Sequence, residues 1–357
     1  MATGAPVMTA DTASSAIQLR PYQLDALTAI EHAVTRGCRR PLAVLPTGAG
    51  KTVVFSAFLR ARAQRNDAAR HVVFEHRDEL VRQAEDKIRL VAPDVPIGLV
   101  KAARNELQHP ITIASVQTVS RPSRLAQLVE RGPYDTIVVD EAHHAPAASC
   151  RRILEALGAF TTDGPLVLGV TATADRADGR GLAEIFEEIV FEIPMLDLIA
   201  DGYLANFHAR QIQLRADFEQ LHTRAGEFIE REAEALLLAA DAPIHTVRAY
   251  QQHAPGRRAL VFTSGVRLAH EMTAAFTGAG IAAAAVDGTM PLESRRRVIA
   301  AFACGDLQVV SNCAVLTEGF DEPSIDAIII ARPTKSRPLY QQMIGRGARP
   351  SPGRTTA

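Results

Sequence analysis

The 357-residue chain has no tryptophan, and only 5% of its residues are aromatic. Stacking of bases on aromatic platforms is therefore excluded as its main way of holding nucleic acid. Its four cysteines, Cys38, Cys150, Cys304 and Cys313, are scattered without a CxxC pair. They read as thiols in a reducing compartment, by default the cytoplasm. No apolar run reaches the ~18 residues that a membrane helix needs. The first 18 residues lack the basic start and apolar stretch of a secretory signal and read as a disordered tail. Charge of one sign is also missing: the formal net charge is −1. Any affinity for nucleic acid must then come from local placement of Arg, Lys and backbone amides rather than from a global field.

What the chain does have is an ordinary globular composition, 47% hydrophobic and 22% charged, over a length that suits two domains. Short apolar runs (PLAVLP, HVVFEH, ITIASV, TIVVDE, LVLGVTAT) alternate with helical patterns such as KTVVFSAFLRARAQ and RDELVRQAEDKIRLV. The second half repeats this with RALVFTSG, IAAAAVDG, LQVVSNCAV and AIIIAR as strands, and VRLAHEMTAAFTGAG and PLESRRRVIAAFACG as helices closing on Gly. Buried strands alternating with helices imply α/β domains with parallel sheets covered on both faces. The turn signals at Asp201-Gly202 put the boundary near residue 205. The expected division is a tail (1–18), a first domain (19–204) and a second domain (205–357), the latter opening with a helix over EFIEREAEALLLAA, residues 227–240.

PTGAGKT, Pro46 to Thr52, follows a strand and opens a helix, the context of a phosphate-binding loop. Gly48 and Gly50 let backbone N–H groups face inward, and the helix N-terminus adds a positive dipole end. Thr47, Gly48, Ala49 and Gly50 would cradle the phosphates. Lys51 would reach the β- and γ-phosphates, and Thr52 would ligate Mg²⁺. Leu45 stands where the strict pattern has its first Gly.

DEAHH, Asp140 to His144, holds an Asp, a Glu and two His, all metal-ligand types. A zinc site needs about three ligands converging, often two His one helical turn apart, whereas His143 and His144 are adjacent. Another reading is a capped loop with solvated histidines. Asp140 and Glu141 end a strand, at the edge where open parallel sheets bind ligands and where the phosphate loop also leaves its strand. There Asp140 can face the Mg²⁺ held by Thr52, and Glu141 can orient or deprotonate the attacking water. The remaining histidines show no ligand spacing.

Taken with PTGAGKT, DEAHH resembles motif II of the superfamily 2 helicases and translocases, and further motifs follow in that family's order. LRPYQLDAL resembles the adenine-reading segment, which implies Gln23 on the base edge and Arg20 against its face. HRDELVRQ and ASVQT resemble strand-contacting motifs, TATADR motif III, VLTEGFDEPSID motif V and QQMIGRGAR motif VI, covering about residues 19 to 350. HRDELVRQ, DEAHHAPA and DGYL look most like the bacterial repair and restriction-type DNA translocases. Ala174 departs from the usual Pro of motif III. The chain also stops soon after motif VI, which reads as a truncated form or as a second sheet lacking an edge strand.

The resemblance implies two RecA-like domains in tandem across an ATP cleft, with ATP and Mg²⁺ as cofactors. Glu141 would be the base, Arg346 and Arg349 arginine fingers one helical turn apart, and Gln342 a sensor of the γ-phosphate or the water. Gly319 and Asp321 would join the ATP site. His143, Thr171 and Thr173 would couple it to a nucleic-acid grip made by Arg77, Gln117, Thr118, Thr263 and Thr317. For the polar strand-end residues, the plainer alternative is that each satisfies its own backbone. The implied activity is nucleic-acid-stimulated ATP hydrolysis driving movement along nucleic acid, DNA ahead of RNA, with no membrane partner. The alternatives are an RNA helicase, the motor of a restriction or defence nuclease, an ATP-gated binding subunit with little turnover, and a simple phosphate-loop kinase, which would leave motifs V and VI unexplained.

Overall fold

The protein is described from a computed structural model covering residues 17–76, 78–174, 181–224, 226–316 and 322–349. The first half builds one sheet from β1 (Pro41–Val44), β2 (His71–Glu75), β3 (Ile97–Lys101), β4 (Arg104–Asn105), β5 (Ile111–Ser115), β6 (Thr136–Val139), β7 (Leu166–Thr171) and β8 (Glu188–Glu192). Their spatial order is β4-β3-β5-β2-β6-β7-β1-β8, parallel except for the β3–β4 pair. Successive side chains point to opposite faces, and both faces are covered, so the central strands read as continuous apolar runs.

Val73, Val138, Leu168 and Val170 meet α1 (Pro21–Thr35), α2 (Lys51–Arg65) and α3 (Asp78–Val91) in one core. Val72, Phe74, Ile137, Val139 and Val167 meet α4 (Val116–Val119), α5 (Pro122–Arg131) and α6 (Ala148–Ala156) in the other. After β8, α7 (Met195–Ala200) returns Leu198 to the first core.

A two-stranded hairpin follows, β9 (Thr223–Arg224) with β10 (Glu227–Phe228). The second sheet contains β11 (Ala259–Thr263), β12 (Ala283–Val286), β13 (Val309–Asn312) and β14 (Ala327–Ala331), all parallel in the order β12-β13-β11-β14. On one side pack α8 (Glu230–Ala239), α9 (Ala242–His253) and α10 (Val266–Gly278). On the other pack α11 (Leu292–Cys304) and α12 (Arg337–Gly345) through Phe302, Leu339 and Met343. The helix expected over 227–240 starts only at Glu230. Glu227 instead pairs in the hairpin and its carboxylate accepts from Thr334 Oγ1 and from the amides of Lys335 and Ser336. The carboxylate is more useful holding the approach to α12 than capping a helix.

Two parallel strands of the first sheet, and the two-residue strands β4, β9 and β10, stood outside the expected set. β3, IGLVK, carries Gly98 in its interior, which interrupts the apolar run. β8, EIVFE, is an edge strand with both terminal Glu exposed, so its apolar content stays below that of a buried run.

Candidate active site

All the parallel strands of the first sheet end on one edge, so the residues just past their C-termini form a row. After β1, Leu45 turns into the core, fully buried, and this explains why the loop begins on Leu rather than Gly. Gly48 and Gly50 then take φ of +89° and +81°, the left-handed region that glycine adopts without steric cost. Helix α2 starts at Lys51 with no side-chain cap, a ready site for an anion.

The loop is braced from behind. Tyr22 Oη and Gln23 Nε2 both donate to the Ala49 carbonyl, at 2.8 and 3.0 Å. Gln23 Oε1 accepts from Arg20 N, and Arg20 reaches the Tyr203 carbonyl at 3.2 Å while lying over the Tyr203 ring. Arg20 and Gln23 therefore sit against the back of the phosphate loop, Gln23 with both ends of its amide engaged.

After β6, the Asp140 amide donates to the Phe74 carbonyl, which holds the strand end to β2. Glu141 adopts φ +47°, a sparsely populated conformation for a side-chain-bearing residue and the kind of strain found where a side chain must be aimed. One carboxylate oxygen of Glu141 lies 3.5 Å from Lys51 Nζ, the other 3.5 Å from His143 Nδ1. His143 Nδ1 is also 3.1 Å from Thr171 Oγ1, which donates to the Thr173 carbonyl. The Nε2 of His143 faces Gln342 Nε2 at 3.4 Å. An amide N–H donating to Nε2 leaves the imidazole proton on Nδ1, directed at Thr171 and Glu141. His144 turns elsewhere and stacks on His76, with ring centroids 3.9 Å apart. The two adjacent histidines thus serve different neighbours.

These elements enclose a cleft of about 160 Å³. Its walls are the phosphate loop through Thr52, the Asp140–Glu141 pair, Arg346 and Arg349 from the second half, and Glu75, Gln83 and Lys87 from β2 and α3. Burial and the neighbouring Glu141 carboxylate push Asp140 up to about 7, against the pull of Lys51. Burial first, then Asp140 and Glu141, hold Glu75 well above the usual carboxylate range. Burial, with Arg349 and Arg346 nearby, brings Lys87 down to about 8, and burial brings Arg349 down to about 10. Crowded like charges of both signs are stabilised by what neutralises them: a polyphosphate for the cations, a divalent cation for the acids. The donor set, a hydroxyl and clustered carboxylates, fits a hard ion such as Mg²⁺, with Thr52 and Asp140 as the residues that would hold it.

The second half closes the cleft closely. A Cβ on Gly345 would fall 2.4 Å from Thr47 Cβ, so only glycine lets α12 lie on the phosphate loop. Arg346 and Arg349 do not share a helical turn as expected. Helix α12 ends at Gly345, and residues 346 to 348 wind on through tighter i→i−3 bonds, with Ala348 N donating to the Gly345 carbonyl. The turn still delivers both arginines to the cleft, and Ala348 packs into the core of the first half.

Two expected nucleic-acid contacts are corrected. Thr118 is buried and its hydroxyl accepts from Ala102 N. Thr263 is buried and its hydroxyl donates to the Gly265 and Asn312 carbonyls. Both hydroxyls bond to backbone groups in the interior. Gln117 is exposed on α4, past the end of β5. Arg77, Thr317, Gly319 and Asp321 lie outside the described residues, as do residues 175 and 176 of the TATADR segment. The sequence reading missed Tyr22, Glu75, Gln83, Lys87 and Gly345. For Glu75 alone a signal existed, an acid at the end of an otherwise apolar strand pointing at the ligand edge.

Residues 16–176 match the family model described as "Type III restriction enzyme, res subunit", and residues 242–351 match "Helicase conserved C-terminal domain". The chain is 33% identical over 348 residues to "Putative ATP-dependent helicase IRC3" of Saccharomyces cerevisiae, an alignment covering 94% of this chain and 50% of that protein. It is 28% identical over 353 residues to "DNA 3'-5' helicase XPB" of Kineococcus radiotolerans, covering 95% and 58% respectively. The structure described as "The fragment structure of a putative HsdR subunit of a type I restriction enzyme from Vibrio vulnificus YJ016" shares the fold, with a TM-score of 0.70 at 20% identity over 96% of this chain and 64% of that one. The chain spans about half the length of the curated relatives it matches.

Proposed function

Because the chain belongs to superfamily 2 of the helicases and translocases, we propose that it is a nucleic-acid-stimulated ATPase that moves along double-stranded DNA. The observation that carries this reading is the composition of one cleft. Lys51, Lys87, Arg346 and Arg349 converge from both halves on the edge where Asp140 and Glu141 end a strand. The domain division at residue 205 belongs to the same reading, with one sheet on each side of it.

In this mechanism the phosphate loop and the N-terminus of α2 bind the triphosphate. Thr52 and Asp140 would hold Mg²⁺, which would supply charge neutralisation on the phosphate oxygens. Lys51 leaves Glu141 for the β- and γ-phosphates. Glu141, freed of that partner and kept in place by its backbone and by His143, orients the attacking water and accepts its proton. Arg346 and Arg349 offset the charge that gathers on the transferred phosphoryl group. The chain Gln342–His143–Thr171–Thr173 runs from the second half to the end of β7 and is the proposed coupling route. Arg77 and Gln117 are the proposed nucleic-acid contacts in the first half. DNA is favoured over RNA by the relative named a DNA helicase, and a restriction-type motor by the first family match. Four free thiols support a reducing compartment, and we assign the cytoplasm.

The test is ATP turnover measured with double-stranded DNA, single-stranded DNA and RNA at matched salt, since salt alone changes such affinities by orders of magnitude. Stimulation is expected to be strongest with duplex DNA, and Glu141→Gln should lower turnover by about 10²–10⁴. Turnover indifferent to every nucleic acid would refute the motor reading. Nucleotide-dependent DNA affinity with little turnover would mark the ATP-gated binding subunit instead.

A further inference from the structure

Glu75 ends β2 in register beside two other polar strand ends. The pairing Phe74↔Val139 sets it next to Asp140, and it is itself the partner of Ser115 on β5. Residues side by side on parallel strands point to the same face. That face is the one under α2 and α3, because Val73, Val138 and Ile113 of the same strands all enter that core. Glu75 is only 2% exposed, lines the cleft, and its Oε1 has no hydrogen-bond partner. Ser115 Oγ, next along the row, is likewise buried without a partner. A buried carboxyl oxygen left unpartnered carries a desolvation penalty, larger when charged, and an apolar residue would close the same strand end without it.

Mg²⁺ keeps several of its waters and takes only one or two carboxylates directly. The retained waters donate hydrogen bonds and need acceptors. From this geometry we infer that Glu75 is the acceptor for a water on the metal held by Thr52 and Asp140, a positioning residue that sets how tightly and in what orientation the metal sits. The inference rests on the ATPase reading above and deepens it.

The experiment measures metal binding, not turnover. Mn²⁺ affinity of the full chain with bound ADP is read by the loss of the free Mn²⁺ paramagnetic signal, and ADP affinity is measured separately in EDTA. Removing an outer-sphere partner typically weakens metal binding 10–100-fold. Glu75→Leu is expected to lose that much Mn²⁺ affinity, and the isosteric Glu75→Gln, which keeps one acceptor oxygen, less. Metal-free ADP affinity should change little in both, because the inferred contact of Glu75 is to a metal-bound water. The inference is overturned if both variants bind Mn²⁺ as the parent does, or if metal-free ADP affinity falls in step with Mn²⁺ affinity. A parent that itself fails to bind Mn²⁺ with ADP would remove the ATPase reading as well; normal parent binding with unaffected variants removes only the role of Glu75.

Discussion

Replacing Gly345 by alanine tests whether α12 must touch the phosphate loop during catalysis. The added Cβ would lie 2.4 Å from Thr47 Cβ, 2.9 Å from its Cγ2 and 3.2 Å from its Oγ1. Carbon–carbon contacts relax at about 3.5–4.0 Å, so helix and loop must part by about 1 Å. The loop cannot easily retreat, since Tyr22 and Gln23 hold the Ala49 carbonyl from behind. The displacement therefore falls on the cleft. Overpacking of this kind costs ~1–3 kcal/mol, roughly a 5–150-fold loss in the population of the closed arrangement. Arg346 follows residue 345 directly, and a misplacement of ~1 Å can itself lower turnover ~100-fold. DNA-stimulated ATP turnover should accordingly fall about 10–100-fold. Thermal stability should not fall, because alanine favours a helix over glycine by up to ~1 kcal/mol. The double variant Gly345→Ala/Thr47→Gly should recover part of the loss relative to Thr47→Gly alone, since the two sites share one contact. Wild-type turnover in Gly345→Ala, with an unchanged melting temperature, would refute the reasoning.

Two further outcomes follow from the same geometry. Asp140, raised from 3.8 to about 7, must ionise to hold a divalent cation, so Mg²⁺-dependent nucleotide affinity should fall by up to about tenfold per pH unit below neutrality. The Asp140 contribution to the stability of the metal-free protein should run the other way: the folded state keeps a proton that the unfolded chain gives up, so this contribution is fully present below 3.8 and is lost as pH rises through about 7. Thermal melts in EDTA beside nucleotide titrations from acid to neutral pH check both, and flat profiles would contradict the assigned environment. Gln23→Ala removes a buried donor to the phosphate loop and the acceptor for Arg20 N, which costs about 1–3 kcal/mol. A melting temperature lower by roughly 2–4 °C per kcal/mol and weaker nucleotide binding are expected; unchanged binding would show that the brace does not shape the loop.

The phosphate loop and the DEAHH strand end were legible because each carries its local context with it: an apolar strand, a turn that only particular residues make, and a helix. The alternating strands and helices were legible for the same reason. β8 escaped because an edge strand does not need to be apolar on both faces. Thr118 and Thr263 looked like contacts because a hydroxyl at a strand end suits a phosphate, but it suits a nearby carbonyl or amide equally well, and only the fold decides. The spacing of Arg346 and Arg349 suggested a helix face, whereas Gly345 ends the helix and a tighter turn delivers the same two side chains. Lys87 and Gln83 lie in what reads as a plain amphipathic helix. Their presence in the cleft depends on α3 packing beside α2, a relation between elements that no local pattern carries.

Ala205 N donates to the Ala348 carbonyl at 2.7 Å, and Ala348 is buried in the first core beside Leu204. The chain that leaves the first half and the chain that leaves the ATP cleft are thus pinned together at one point next to the phosphate loop. A rigid rotation that preserves this bond has its pivot there, so the arginines close to it travel little while distant loops sweep widely. Gln117 follows β5, four strands across the sheet from β1, or about 19 Å at the usual strand spacing. Each ten degrees of rotation then moves such a loop by roughly 3 Å, close to the ~3.4 Å rise per nucleotide along the axis of duplex DNA. Under the proposed function, the pin makes the molecule a lever whose short arm is at the nucleotide and whose long arm is at the track.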